Sequence, residues 1–242
     1  VLANSLGLKE GENQMKLLNK AKNQTTNALR LCVALLTFST VAQAASVNVV
    51  HGIDGRSLGA DKALPVDIAV NGACALKGVR FTQSSLVELK AGTYKITVHL
   101  ANGSCSNAAV ITQNVTIAEG SYSLVASLTR AGTPQLAAFH NSKDLGFTPV
   151  VATRHLAAAG AVSVEYRTSD LPRPQTQRIS NGKFSSLSIL GARFRYTATI
   201  FAGSKRNTLA KLTGTARRSY VIYNIVGSKS VGFTVIPETL VP

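Results

Sequence analysis

The sequence predicts an all-β fold, two tandem β-sandwich modules behind a cleaved signal peptide. Three observations carry that expectation. The chain has 242 residues, 45% of them hydrophobic and only 15% charged, enough to fill cores and too apolar for disorder. Short runs rich in Val, Ile, Thr and Tyr recur, divided by Gly, Asn and Pro turn signals. The order of these runs then repeats in the second half of the chain.

Before the runs begin, Lys16-Leu-Leu-Asn-Lys20-Ala-Lys22 forms a basic segment closed by Arg30. The apolar stretch Leu31–Val41 follows and ends in Ala42-Gln43-Ala44, the small-x-small pattern that a signal peptidase pocket admits. Residues 15–44 therefore read as a signal peptide opened by Met15, with cleavage before Ala45 and residues 1–14 as an upstream extension. The apolar stretch falls short of the roughly 20 residues a spanning helix needs. No later segment is long and apolar enough to supply a transmembrane segment for the mature chain. Cys32 stands at the front of the apolar run, not behind it as a lipidation site would, and leaves with the signal. Export to the periplasm or beyond the cell is the expected destination.

The first module is expected over residues 45–143. Ser46–His51 opens it, and Gly52–Ala63 reads as a loop. Val66–Val70 alternates and ends in Asn71-Gly72, two residues that tolerate positive φ and mark a hairpin. Strands follow at Leu86–Leu89, Tyr94–Leu100, Val110–Ile117, Tyr122–Leu128 and Gln135–His140. Residues 146–242 make the second module, with strands at Thr148–His155, Ala161–Arg167, Phe184–Leu190, Phe194–Phe201, Leu209–Thr213, Tyr220–Val226 and Val231–Ile236. Regular spacing of short strands and turns is the pattern of a sandwich.

After cleavage Cys74 and Cys105 remain, and an even pair in an oxidising compartment reads as a disulfide. Such a loop of about 30 residues stabilises by roughly 3–4 kcal/mol in the chain-entropy model. If the strands between them simply alternate direction, the two cysteines fall at opposite ends of the sandwich. The bridge then requires a sheet crossover or an irregular segment around residues 75–84. Neither cysteine has a C-x-x-C partner or a His at ligand spacing, which argues against a metal or redox role.

The net charge is +15 and the isoelectric point about 10.1. The excess sits in the second half: residues 45–145 carry +2 and residues 146–242 carry +10. Lys205, Arg206, Lys211, Arg217 and Arg218 lie close together there, mostly in expected turns. They are the candidates for binding a polyanion such as acidic envelope glycan or lipid headgroups, with nucleic acid the weaker choice.

Several of these segments resemble a known family. Val50-His51, Pro65-Val66-Asp67 with Asn71-Gly72, Leu89-Lys90-Ala91-Gly92-Thr93-Tyr94, and Ala118-Glu119-Gly120 with Tyr122-Ser-Leu-Val125-Ala126 occur in one order over about 80 residues. That series is similar to the secreted bacterial domain of unknown function 4397. The resemblance implies immunoglobulin-like sandwich repeats in the envelope or outside the cell, with no established activity. The family pattern has Ser-Pro-Asp after the His, where this chain has Gly52-Ile53-Asp54. The second module keeps the spacing alone.

Chemistry-bearing motifs are sparse. His51 and His155 end the two opening strands, and either form a paired ligand site or hydrogen-bond neighbouring turns. Asp54, Asp61 and Asp67 could enter a calcium loop, but the Gly and Glu of a recognised loop are missing, and Asp67 reads as an exposed strand residue. The six tyrosines fall within expected strands, as core or tyrosine-corner residues. No nucleophile elbow, phosphate loop or dinucleotide fingerprint is present, so no cofactor and no enzymatic activity are expected. The leading expectation is a structural or interaction module of the cell envelope, the alternative a polyanion-binding protein, and an enzyme with a convergent site the third.

Overall fold

The computed structural model describes residues 44–141, 143, 150–169, 172–188, 194–202, 208–216, 220–228 and 232–240. Residues 42–242 belong to one compact unit. Its first eight strands are β1 (Ala45–His51), β2 (Val66–Val70), β3 (Ala73–Val79), β4 (Ser84–Leu89), β5 (Gly92–Leu100), β6 (Ala109–Ile117), β7 (Ser121–Leu128) and β8 (Pro134–His140). The next eight are β9 (Val150–His155), β10 (Val162–Thr168), β11 (Gln175–Ile179), β12 (Lys183–Ser188), β13 (Phe194–Ala202), β14 (Thr208–Ala216), β15 (Tyr220–Ser228) and β16 (Gly232–Leu240). They form four sheets of four, ordered β4-β1-β7-β8, β3-β2-β5-β6, β12-β9-β15-β16 and β11-β10-β13-β14. Adding eight to each number of the first two sheets gives the last two, so the repeat seen in sequence is a repeat of topology.

Each half holds one strand more than the sequence pattern suggests. β3 escapes notice because Gly78 at φ +62° and irregular registers opposite β2 break its alternation. β11, Gln-Thr-Gln-Arg-Ile, is an edge strand with little apolar content to reveal it. The β2–β3 hairpin turns where expected, with Asn71 at φ +50° and Gly72 at +84°. The loop after β1 contains a 3-10 turn at Gly55–Leu58.

Burial sorts the sheets into layers. Val47 and Val49 of β1, with Tyr122, Leu124 and Ala126 of β7, pack on Ile68 of β2 and Ile96 and Val98 of β5. The second half repeats this with Val151 and Ile225 against Val164, Tyr166 and Ile200. A third cluster joins the halves, in which Val50, Val125 and Phe139 meet Leu156, Val226 and Ile236. Among the described residues, the sheets carrying β1 and β9 therefore pack core clusters on both faces, and the two outer sheets on one. That explains why all six residues of β9 and seven of eight in β7 are buried.

Candidate functional site

Four groups of polar side chains are drawn inside, and each is built by the fold around it. The first surrounds the disulfide. Cys74 at the start of β3 is bonded to Cys105 in the β5–β6 connection, with Cα atoms 5.6 Å apart. The expected crossover is present: β3 (Ala73–Val79) and β4 (Ser84–Leu89) belong to different sheets, and β3 is irregular in register opposite β2. The connection after Leu100 also folds back over the outer face of β2, which carries Cys105 to Cys74. Asp67 lies beneath it and is fully buried, not the exposed strand residue its alternation suggests. Its Oδ1 accepts from Gly78 N at 2.8 Å, and its Oδ2 from Asn102 N at 2.9 Å and Gly103 N at 2.7 Å. Burial alone would raise its pKa, but the backbone N–H groups of Asn102, Gly78, Gly103 and Cys105 together hold it below the usual carboxylate value.

Ligand atoms of Asp67, Cys74 and Cys105 lie within 4.8 Å of one another. Both sulfurs are committed to the bridge and the carboxylate to backbone donors, so this cluster is a structural knot. Asp54 is likewise occupied: it caps the 3-10 turn, accepts from Arg56 N at 3.0 Å and pairs with the Arg56 guanidinium at 2.6 Å. Its pKa is lowered chiefly by that side-chain hydrogen bond. The notion of a calcium loop through Asp54, Asp61 and Asp67 therefore fails, because two of the three carboxylates are spent on different local partners.

The paired histidines form the second and third groups. His51 Nε2 lies 2.7 Å from the Leu64 carbonyl, and His155 Nε2 2.7 Å from that of Gly160. Each ring is buried, and burial lowers its pKa against the opposing effect of the carbonyl. Ile53 N donates to His51 Nδ1 at 3.3 Å, which fixes the neutral tautomer with its proton on Nε2. Of the two readings left open, the turn-clamping one describes both residues. Tyr122 behaves as expected of a strand-corner tyrosine, its hydroxyl accepting from Ala118 N at 2.9 Å. Tyr166 has a buried hydroxyl shared by Thr153 and Ser185, and burial raises its pKa.

The fourth group was invisible in the sequence. Arg154 on β9 and Glu238 on β16 are both buried where the two inner sheets meet, with Arg154 Nη1 3.5 Å from Glu238 Oε2. Asn48 of β1 donates to Glu238 Oε1 at 2.6 Å, and Arg154 Nη2 donates to Asn141. The guanidinium carbon also sits 4.0 Å from the Phe139 ring centroid. An arginine between Thr153 and His155 looks like a solvent-facing strand position. The hint lay in the consecutive apolar residues Val150-Val151-Ala152 of β9 and Leu124-Val125-Ala126 of β7, which put apolar side chains on both faces of each strand.

Most of the remaining sequence candidates lie outside the described residues. Ala42 falls outside the described residues, Ala44 is exposed, and Ala45 is buried as the first residue of β1. Lys205, Arg206, Arg217 and Arg218 also lie outside the described residues, and Lys211 is placed by its backbone on β14, opposite Thr199.

A family model, described as a domain of unknown function (DUF4397), matches residues 45–165, half of the chain. The chain belongs to this family. The DUF4397 match takes in the whole of the first sandwich and enters the second as far as β10. No curated protein matches the chain. Among solved structures, the crystal structure of a "putative adhesin" from Bacteroides ovatus is similar at 9% identity and a TM-score of 0.24, over 81% of this chain and 95% of that one.

Proposed function

We propose that this DUF4397 protein is an exported, non-catalytic structural or interaction module of the cell envelope. The observation that carries the reading is the fate of its buried polar side chains. Asp54, Asp67, His51, His155, Arg154 and Glu238 are each engaged in clamping a loop or joining the inner sheets. A scaffold stiffened in this way, stapled by a cystine, suits a protein that presents surfaces in an oxidising compartment. No described helix is long and apolar enough to cross a membrane.

The test is fractionation of cells producing the full chain, with the amino terminus and thiol state of the product read by mass spectrometry. Export predicts a product outside the cytoplasm that begins at Ala45, with Cys74 and Cys105 oxidised. A cytoplasmic product retaining residues 15–44 with free thiols would refute it.

A second reading, docking of an acidic polymer by the basic second half, is favoured by the exposed arginines Arg167, Arg178 and Arg195 on its outer sheet.

A further inference from the structure

Among the described residues, the outer sheet of the second half packs a core cluster on one face only. Val162, Val164 and Tyr166 of β10 point into the core, which sends Ser163, Glu165 and Arg167 to the other face. By the same alternation Arg178 stands beside core residue Ile179 on β11, and Arg195 beside core residue Tyr196 on β13. All three arginines are exposed. Glu165 is mostly covered and is already paired with Arg167 at 2.8 Å. Asp170, in the connection toward β11, lies outside the described residues.

The register fixes how these cations are spaced. Arg178 pairs with Ser163, and Arg167 follows four residues later on the neighbouring strand. Thr197 pairs with Arg167, and Arg195 lies two residues beyond it in the same direction. With a rise of about 3.3 Å per residue and strands about 4.8 Å apart, the steps are roughly 14 and 8 Å, on three successive strands. Thr197 and Thr199 place hydroxyls on the same face, and Phe201, half-buried opposite Ser163, adds an aromatic ring.

We propose that this face is a docking surface for a linear acidic polysaccharide carrying carboxylates. The assignment rests on the polymer-docking reading above and names its surface and ligand class. Guanidinium forks match carboxylates in two-point geometry, and the threonine hydroxyls bond sugar hydroxyls between them. The Phe201 ring offers an apolar plane for sugar C–H groups. Charge complementarity selects an anionic chain, and the spaced line of cations suits an extended polymer. A bilayer would instead favour projecting apolar side chains, and among the described residues of this face the one large apolar group is half-buried.

The experiment is binding of polygalacturonate to the full chain at 50 and 200 mM salt. The face variant is R167S/R178S/R195S, and the charge-matched control is K62S/K77S/K90S, which removes three exposed lysines from the first half. Circular dichroism melts of both variants establish that each remains folded. The face variant is expected to bind about 10- to 100-fold more weakly at 50 mM salt, with a shallower salt dependence, and the control within about threefold of the parent. Neutral dextran should not bind. Equal weakening in the two variants, or no binding by the parent, overturns the proposal. So does a loss of binding to phosphatidylglycerol vesicles or a single-stranded oligonucleotide that matches the loss for polygalacturonate. Each of those outcomes leaves the fractionation result untouched, so failure of this surface and failure of export are read separately.

Discussion

Replacing Asp67 by Asn changes one atom of a buried side chain, and its effect can be worked out donor by donor. The carboxylate accepts from Gly78 N on Oδ1 and from Asn102 N and Gly103 N on Oδ2, with the Cys105 N–H a further donor to it. An amide has one oxygen. Turned toward Asn102 and Gly103, it leaves its NH2 facing the Gly78 N–H, and the opposite orientation strands two donors. A buried donor left unmade costs about 1–3 kcal/mol, and each surviving bond loses its charge assistance, about 0.5–1 kcal/mol apiece. The total is about 2–5 kcal/mol, a large share of the roughly 5–15 kcal/mol by which domains are stable. Because the carboxylate pKa is lowered in the folded state, its contribution is complete above the unfolded value near 4 and is lost as pH falls through the folded value. Urea unfolding followed by far-UV circular dichroism, with the disulfide intact, measures the difference at pH 7 and pH 3. The Asp67→Asn variant should be less stable by that amount at pH 7, and the gap should narrow in acid. A variant within about 1 kcal/mol of the parent at pH 7, or a gap that widens at pH 3, would refute the account.

Three further outcomes follow from the interior. Glu238→Ala leaves Arg154 buried without its ion-pair partner and should cost about 3–5 kcal/mol, whereas Arg154→Met with Glu238→Leu should come within about 2 kcal/mol of the parent; unfolding free energies of the three proteins decide it. Gly52→Ala would place a Cβ 2.7 Å from the Ala126 carbonyl oxygen and 2.8 Å from Val226 Cγ1, and should destabilise by about 1–3 kcal/mol, while Gly160→Ala, with nothing within 4 Å, should change stability by less than about 1 kcal/mol. His51 and His155 have folded pKa values lowered by burial, so stability is complete above pH 6.5 and declines as pH falls below it; a melting temperature that stays level from pH 7.5 to 5 would contradict this.

Strands and turns were legible where one face is wet. Tyr94–Leu100 alternates because its neighbours are solvent on one side and core on the other, and Asn71-Gly72 announces its hairpin because few other pairs adopt its φ angles. The disulfide could be read from cysteine parity, but the loop that brings it together could not, since nothing in Ala101–Ala108 says that it folds back. Asp67, Asn48, Arg154 and Glu238 sit at polar positions of strands, and a polar residue in an alternating strand looks solvent-facing whichever layer covers it. What covers these residues comes from distant segments, β5–β6 over Asp67 and one half of the chain over the other. Periodicity reports the face a residue points to. It says nothing of what arrives there later.

The parallel pairing of β1 with β7 has a kinetic side. Ser46 is hydrogen-bonded neighbour to a strand whose matching residue, Ser121, comes 75 positions further along, and β9 must wait in the same way for β15. Neither central sheet can close until most of its own half of the chain is present. Contacts of such high sequence separation slow folding, because the entropy of a long loop is spent before any contact repays it. Before β7 is made, the first half can hold the β2–β3 hairpin and the β1–β4 pair but not a complete inner sheet. The chain stays incompletely folded for longer than a protein of local contacts would, which leaves its strand edges unpaired until β7 and β15 arrive.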